Sequence, residues 1–350
     1  DESMEEGKLP AAETQLYVNN GSDPTNLSTD GKAIDGKKLA EKKDLEAHNS
    51  LIAAMRNGHD EHYEPEDLII INDLKSKFCK ETESLLTEIE SPDPLVKMKA
   101  GFTKGGGKNI IGWAETEIDA DIEECASWDY HADSIEKMKN FDDWRGLERV
   151  ITKLTNHSQV NRTVYDLTGL AFIRPREWLA KTLWIWDSDD RFIITSSSII
   201  DEELGPTKTK KNYVRGTIKT MLVFERLSVT GGIIRTKVNY WAQVSLGGYI
   251  PTSIVNSLIS SNLMHLGEMR SAFDKSLEID QASRDAMVLD IELEQRYSAE
   301  EIKQIDEGMD RLRMFNDLTN RTNVEAASPL ATSEVAQKEG ERNAFGKAST

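Results

Sequence analysis

Cysteine is nearly absent from this sequence, which has only Cys79 and Cys125 in 350 residues. Two cysteines make no disulfide framework, and this usage favours a reducing, intracellular compartment. Long apolar runs are missing as well. The stretch "LIII" at 68–71 is far shorter than the roughly 20 apolar residues that cross a membrane, and the opening residues do not resemble a signal peptide. These absences predict a cytoplasmic protein that contacts membranes only at their surface.

Basic residues are in deficit. Lysine and arginine number 43 against 61 aspartates and glutamates, which gives a formal net charge of -18. A chain of this charge repels a phosphate backbone, so we expect no nucleic-acid partner. The hydrophobic fraction of 38% permits a sizeable core, whereas the charged fraction of 30% predicts long polar segments beside it.

Motifs that would indicate catalysis or a bound cofactor are also lacking. "GFTKGGGK" at 101–108 is similar to a phosphate-binding loop, but glycine stands where the lysine belongs and no helix is expected to follow. "HDEHYE" at 59–64 could ligate a metal, yet no distant cysteine or histidine has suitable spacing, which favours an exposed polar loop. No nucleophile-histidine arrangement is visible. We therefore expect a protein that is not an enzyme, with no cofactor and no metal.

The composition along the chain divides it into five regions. Residues 1–36 are polar and aperiodic, which predicts disorder. Residues 37–90 are a helical lead-in, because apolar residues recur at helical spacing in 37–55 and again in 66–90. Residues 91–280 are expected to fold as one domain. A charged helical extension follows at 281–325, with a capping box of Ser298 and Glu301, and a polar tail at 326–350.

Short strands dominate the central region. Strand patterns occur at 96–102, 110–118, 147–155, 162–167, 177–186, 191–199, 214–227 and 233–246, with a helix predicted at 121–138. Their connections are short, so the sheet is expected to be antiparallel. After Pro251 the sequence predicts a helix of about 25 residues with a broad apolar face, which must be buried against that sheet. The fold class is therefore α+β.

Four segments of this region resemble a known family. They are "RPREWLAKTLW" (174–184), "FIITSSSI" (192–199), "YVRG" (213–216) and "VNYWAQVSLGGYIPTSIVN" (238–256). Residues 91–276, and the last segment most specifically, are similar to the START (StAR-related lipid transfer) domains. This resemblance implies a helix-grip fold, in which a curved antiparallel sheet wraps a long C-terminal helix. It also implies a cavity between sheet and helix that holds one lipid.

Candidate ligand-binding residues combine the implied cavity with strand alternation. On the sheet they are Thr182, Trp184, Ile194, Ser196, Leu222, Phe224, Asn239, Trp241 and Gln243, and on the helix Val255, Leu258, Ile259 and Leu263. The alternative is that these residues pack a solid core or face water, because an error of one residue turns every side chain to the other face. The resemblance also implies a membrane-facing gate, formed by Leu170, Phe172, Ile173 and Arg174.

Two functions fit these observations. The first is a lipid-binding or lipid-transfer module that holds one amphiphile, such as a sterol or phospholipid, and meets a membrane surface transiently. The alternative is a regulatory or scaffolding unit of a tandem START-like array without transfer activity, with protein contacts through the flanking helices. It draws on short matches that recur at one spacing, "YEPEDLIII" at 63 with "YSAEEIKQI" at 297 and "GWAET" at 112 with "GKAST" at 346. They predict that 326–350 begins a second repeat of a longer protein.

Overall fold

The computed structural model describes residues 14–18, 30–58, 62–81, 86–103, 109–167, 173–199, 212–248, 250, 252–296, 298, 300, 301, 303, 304 and 306–311. The backbone divides into two compact units, 1–279 and 280–350. The first contains the sheet, six helices and the start of the seventh. In the second, Ser298 and Glu301 form the predicted capping box, with the Ser298 amide donating to the Glu301 carboxylate at 2.9 Å.

One sheet of eleven strands organises the first unit. Its strands are β1 (Thr14–Val18), β2 (Thr87–Glu88), β3 (Lys97–Phe102), β4 (Ile110–Ile118), β5 (Gly146–Lys153), β6 (Ser158–Tyr165), β7 (Arg176–Ser188), β8 (Arg191–Ser198), β9 (Val214–Arg215), β10 (Thr217–Arg226) and β11 (Thr236–Ser245). The spatial order is β1-β5-β6-β7-β8-β10-β11-β4-β3-β2. Every pairing along this path is antiparallel, as predicted, and only the two-residue β9 lies parallel to its partner β7. The glycines 231 and 232 turn the chain between β10 and β11 with φ of 58° and 79°.

Seven helices have their bounds within the described residues. They are α1 (Asp30–Arg56), α2 (Pro65–Glu81), α3 (Ile122–Tyr130), α4 (Ile135–Asp143), α5 (Thr252–Leu263), α6 (His265–Ala272) and α7 (Ser276–Arg296). Helices α5 and α6 are the predicted gripping helix, and both contact β4. The helix is broken at Met264 instead of continuous. None of the described helices has the length and apolar character needed to span a bilayer. The predicted α+β class with a helix packed on an antiparallel sheet is confirmed.

Several element boundaries differ from the sequence-based expectation. Residues 1–36 were expected to be disordered, but 14–18 form β1, whose "TQLYV" residues favour strands and pair with β5. The helix expected at 66–90 ends at Glu81. The helix expected at 121–138 is two helices, α3 and α4. Ser134 separates them because its hydroxyl accepts from the Lys137 amide at 3.2 Å and caps α4.

Both faces of the sheet are buried. On the inner face, β8, β10 and β11 meet α3 and α6 around a core that includes Phe192 and Phe224. On the outer face, Leu74 of α2 packs with Met221 and Trp241. Three ion pairs also join α2 to the strands: Asp67 with Lys181, Lys75 with Asp187, and Asp73 with Lys219. The helical lead-in is therefore part of the same compact unit as the sheet.

Candidate ligand-binding cavity

A cavity of about 720 Å³ lies between the inner face of the sheet and helices α4, α5 and α6. Its volume falls in the range of about 300–1,000 Å³ that is usual for small-molecule sites. Many of the apolar side chains that line it come from β10, β11, α5 and the joint between them: Leu222, Ala242, Val244, Leu246, Leu258, Ile259 and Leu263. Others come from β4, β7 and α4, such as Ile110, Ala180 and Phe141. The gripping helix and the sheet thus enclose one largely apolar space.

Six of the sequence-predicted residues line this cavity: Thr182, Ser196, Leu222, Leu258, Ile259 and Leu263. Trp184, Ile194 and Phe224 lie on the same face of their strands, but they are buried in the adjoining core. There Trp184 stacks on Phe192 with ring centroids 5.5 Å apart. The core below α3 is therefore filled by aromatic rings, and the cavity begins where these rings end.

Strand β11 has the opposite phase to the one expected. Tyr240, Ala242 and Val244 line the cavity. Trp241 is fully buried on the outer face under α2, and by alternation Asn239 and Gln243 lie on that face too. The alternation of β11 does separate an apolar face, with Tyr240, Ala242 and Val244, from a more polar one, and the error was to expect the cavity on the polar face. Asn239, Trp241 and Gln243 are therefore placed away from the cavity.

Three of the predicted ligand-binding and gate residues have side chains outside the described part of the structure. Val255 belongs to α5, but its side chain lies outside the described residues, as do Leu170 and Phe172 of the expected gate. Of the other gate residues, Ile173 is buried and Arg174 is exposed. The gate remains a prediction.

Three of the four segments that carry the family resemblance meet at the joint between β11 and α5. Gly247 and Gly248 adopt positive φ of 65° and 63°. The Arg176 guanidinium donates to the Leu246 carbonyl at 2.9 Å and to the Gly247 carbonyl at 3.3 Å. A Cβ on Gly247 would lie 2.5 Å from the carbonyl oxygen of Arg215. The joint is thus held by close backbone approaches that only glycine permits.

A polar cluster that no sequence pattern indicated covers one wall of the cavity. His265 of α6 bonds Asp129 of α3 at 2.6 Å. The Tyr240 hydroxyl donates to Asn262 at 3.0 Å. Burial alone would raise the pKa of Asp129, but the hydrogen bond and charge of His265 hold it below its usual value. These bonds tie the gripping helix to α3 and β11, and no local sequence signal joins residues so far apart in the chain.

Three cations also line the cavity, of which Lys137 is buried, Arg149 is half-buried and Arg145 is exposed. Lys137 of α4 is only 9% exposed, and its ammonium lies 3.2 Å from the centroid of the Trp128 ring. The Arg149 guanidinium of β5 lies 4.4 Å from the centroid of the Phe141 ring and donates to the Ala132 carbonyl at 2.7 Å. In sequence, Lys137 belongs to the polar stretch "SIEKMKNF", which is typical of a solvated helix face.

Lys137 gives the protein a predictable pH dependence. Burial lowers the pKa of Lys137 from 10.5 to about 8. The unfolded chain therefore keeps this proton to higher pH than the folded chain, so folding becomes more favourable as the pH rises from about 8 to 10.5. Relative to Lys137→Met, the free energy of unfolding should increase by on the order of 3 kcal/mol over that window. Denaturant titrations of both proteins at several pH values measure this difference, and parallel pH curves would contradict it.

Metal binding has no support in this part of the molecule. Among the described ranges, no group of three histidine, cysteine, aspartate or glutamate side chains is placed to hold an ion. The "HDEHYE" segment falls partly outside those ranges.

The arrangement of the cavity can enclose an apolar chain and present polar groups along one wall, which is the chemistry of binding an amphiphile.

A sheet closed by a helix over a single cavity defines the helix-grip class of binding domains. Residues 144–276 match the family model described as START domain. The sequence-based recognition of a START domain is therefore confirmed for this part of the chain.

Solved structures of START proteins are among those similar to this chain. Human StAR-related lipid transfer protein 5 is 15% identical, with 63% of this chain and 99% of that chain covered and a TM-score of 0.46. Human STARD10 is 19% identical, with 66% and 87% covered and a TM-score of 0.44. The human StarD13 (DLC2) lipid transfer and protein localization domain is 14% identical, with 61% and 100% covered and a TM-score of 0.42. No curated protein matches the chain.

Proposed function

We propose that this protein is a lipid-binding module that takes one amphiphile, such as a sterol or phospholipid, from a membrane surface. The observation that carries the proposal is the cavity of about 720 Å³ between the sheet and the gripping helix. The START domain match over 144–276 supports the same function. Affinity would come mainly from burying the apolar part of the ligand, at about 25 cal/mol per Å².

Entry of the ligand requires the gripping helix to move, because α5 and α6 form one wall of the cavity. The break at Met264 divides that wall into two short helices. Helix α6 is held by His265–Asp129 and by Arg270–Asp93, whose atoms are 3.0 Å apart. We propose that α5 opens together with the predicted gate of Leu170, Phe172, Ile173 and Arg174.

Binding rather than catalysis is the activity we propose. Asp129 and His265, the carboxylate–imidazole pair of the cavity wall, are bonded to each other, and this bond joins α3 to α6. The scaffolding alternative requires a second repeat. Its predicted start at 326–350 lies outside the described residues, and it remains the alternative to lipid binding.

Extraction of lipid from vesicles tests the proposal. The purified chain is incubated with phosphatidylcholine vesicles that contain tracer sterol, separated by flotation, and examined by native mass spectrometry. We expect protein that carries one lipid per chain, because there is one cavity of suitable size among the described residues. An unrelated acidic protein, incubated with the same vesicles, is the control for non-specific binding of lipid. Recovery of the chain without lipid under every vesicle composition would refute the function.

A further inference from the structure

Lys137 and Arg149 are cations without an anionic partner. In the described part of the chain, no carboxylate oxygen lies within 4.0 Å of the charged nitrogens of either side chain. Each lies instead over an aromatic ring, Lys137 over Trp128 and Arg149 over Phe141. The Nε of Arg149 is buried and has no hydrogen-bond partner among the described atoms. Removing a charge from water without pairing it is costly, so this arrangement is unusual.

The two cations also act on each other. The positive charge of Arg149 helps burial to lower the pKa of Lys137. The charges of Asp129, Glu268 and Glu136 act on Lys137 more strongly than that of Arg149 and offset part of this repulsion, but none of them lies between the two cations as an ion-pair partner of either. A negatively charged ligand would be stabilised by both.

The carboxylates around this pair already have other partners. Asp129 is bonded to His265 at 2.6 Å, Glu136 accepts from the Trp128 indole at 3.0 Å, and Glu268 accepts from Asn140 at 3.4 Å. All three act on Lys137 through their charge, but at longer range than an ion pair. These three carboxylates are therefore not ion-pair partners of Lys137 or Arg149, whose donors remain available to an anion.

We propose that the amphiphile held in this cavity carries an anionic head group, a carboxylate or a phosphate, which binds between Lys137 and Arg149. This inference rests on the proposed lipid-binding function and narrows it to acidic lipids. The head group would accept from the Lys137 ammonium and the Arg149 Nε, while the hydrocarbon chain lies against Leu258 and Leu222 on the apolar walls. A neutral amphiphile would leave both cations unpaired.

Matched pairs of ligands test the inference in the full chain. Oleate is compared with oleyl alcohol, and oleoyl lysophosphatidic acid with monooleoylglycerol, by calorimetry near neutral pH, where Lys137 is protonated. Inorganic phosphate alone forms a further arm. We expect each acidic ligand to bind about tenfold or more tightly than its neutral counterpart, because a hydrogen bond to a charged group is involved.

Variants on α4 distinguish the effect of the Lys137 charge on ligand preference from the effect of its packing. Lys137→Met should remove the preference for the acidic ligand, and Lys137→Arg should retain it. Lys139→Met, at an exposed position of the same helix, is the matched control and should behave as the wild type. Since Lys137→Met also removes a buried unpaired charge, its melting temperature should rise, which verifies that the variant is folded.

The possible results test the anionic head group separately from lipid binding itself. Equal affinity for acidic and neutral ligands would overturn the anionic head group and leave lipid binding intact. Failure of every amphiphile to bind would overturn both. Inorganic phosphate that stabilises the protein as strongly as the lysolipid would show that the cations hold a free anion, and that result would also overturn the lipid assignment.

Discussion

Replacement of Leu258 by glutamate is expected to abolish lipid extraction while the protein remains folded. Leu258 lies on α5, lines the cavity and is only half-buried. In the empty protein a carboxylate there can still reach water, so the fold tolerates it. An apolar chain that entered the cavity would strip that water away. The desolvation cost, roughly 3 kcal/mol, corresponds to about a hundredfold loss of affinity.

The control for this prediction is Leu45→Glu. Leu45 is also a leucine on a helix, but it is 60% exposed on α1 and does not line the cavity. This variant should extract lipid as the wild type does. Extraction by Leu258→Glu at the rate of Leu45→Glu, with both proteins folded by circular dichroism, would refute the assignment of the cavity as the lipid site.

Substitution of Gly247 should be far more damaging than the same substitution one residue later. Gly247 and Gly248 have nearly the same φ, 65° and 63°, so alanine meets the same backbone strain of about 1–2 kcal/mol at either position. At Gly247 the new Cβ would also lie 2.5 Å from the Arg215 carbonyl oxygen. At Gly248 the Cβ would lie 3.9 Å from the Arg176 guanidinium, an ordinary van der Waals contact. Gly247→Ala should therefore cost a further ~1–3 kcal/mol.

Denaturant unfolding of Gly247→Ala and Gly248→Ala measures this difference directly. The larger Gly247→Val should in addition lose lipid uptake, because a displaced joint changes where α5 starts over the cavity. Equal destabilisation by the two alanine variants would mean that the approach to Arg215 relaxes without cost. Uptake by Gly247→Val at the wild-type level would mean that the joint does not set the position of the helix.

Local sequence patterns predicted most of the strands, the helix after Pro251 and the turns between them, because these features depend on residues close together in the chain. The phases of β7, β8 and β10 were correct, since Thr182, Ser196 and Leu222 all face the cavity. Glycine and proline at 247–251 marked the change from strand to helix. The break between α3 and α4 was missed, although Ser134 is a good capping residue, because the apolar pattern continues across it.

The parts that could not be predicted depend on residues distant in sequence. The two faces of β11 are distinct in the sequence, but the cavity was expected on the face of Trp241, and only the packing of α2 shows that this face is the outer one. The polar wall is assembled from α3, α4, α6 and β5, so no short motif contains it. Lys137 looked like an ordinary surface lysine, and only its position over Trp128 makes it a buried one.

The order of strands in the sheet has a consequence for how the chain folds during synthesis. Strand β11 pairs with β4, so residues 236–244 bond to residues 110–118. Almost the whole domain must therefore be synthesised before this pairing can form. Until then, one edge of β4 remains unpaired. Contacts of such long sequence separation slow folding and leave apolar strands open to aggregation. We therefore expect the yield of native protein to depend on translation speed and on chaperones, even though the folded domain has a well-buried core.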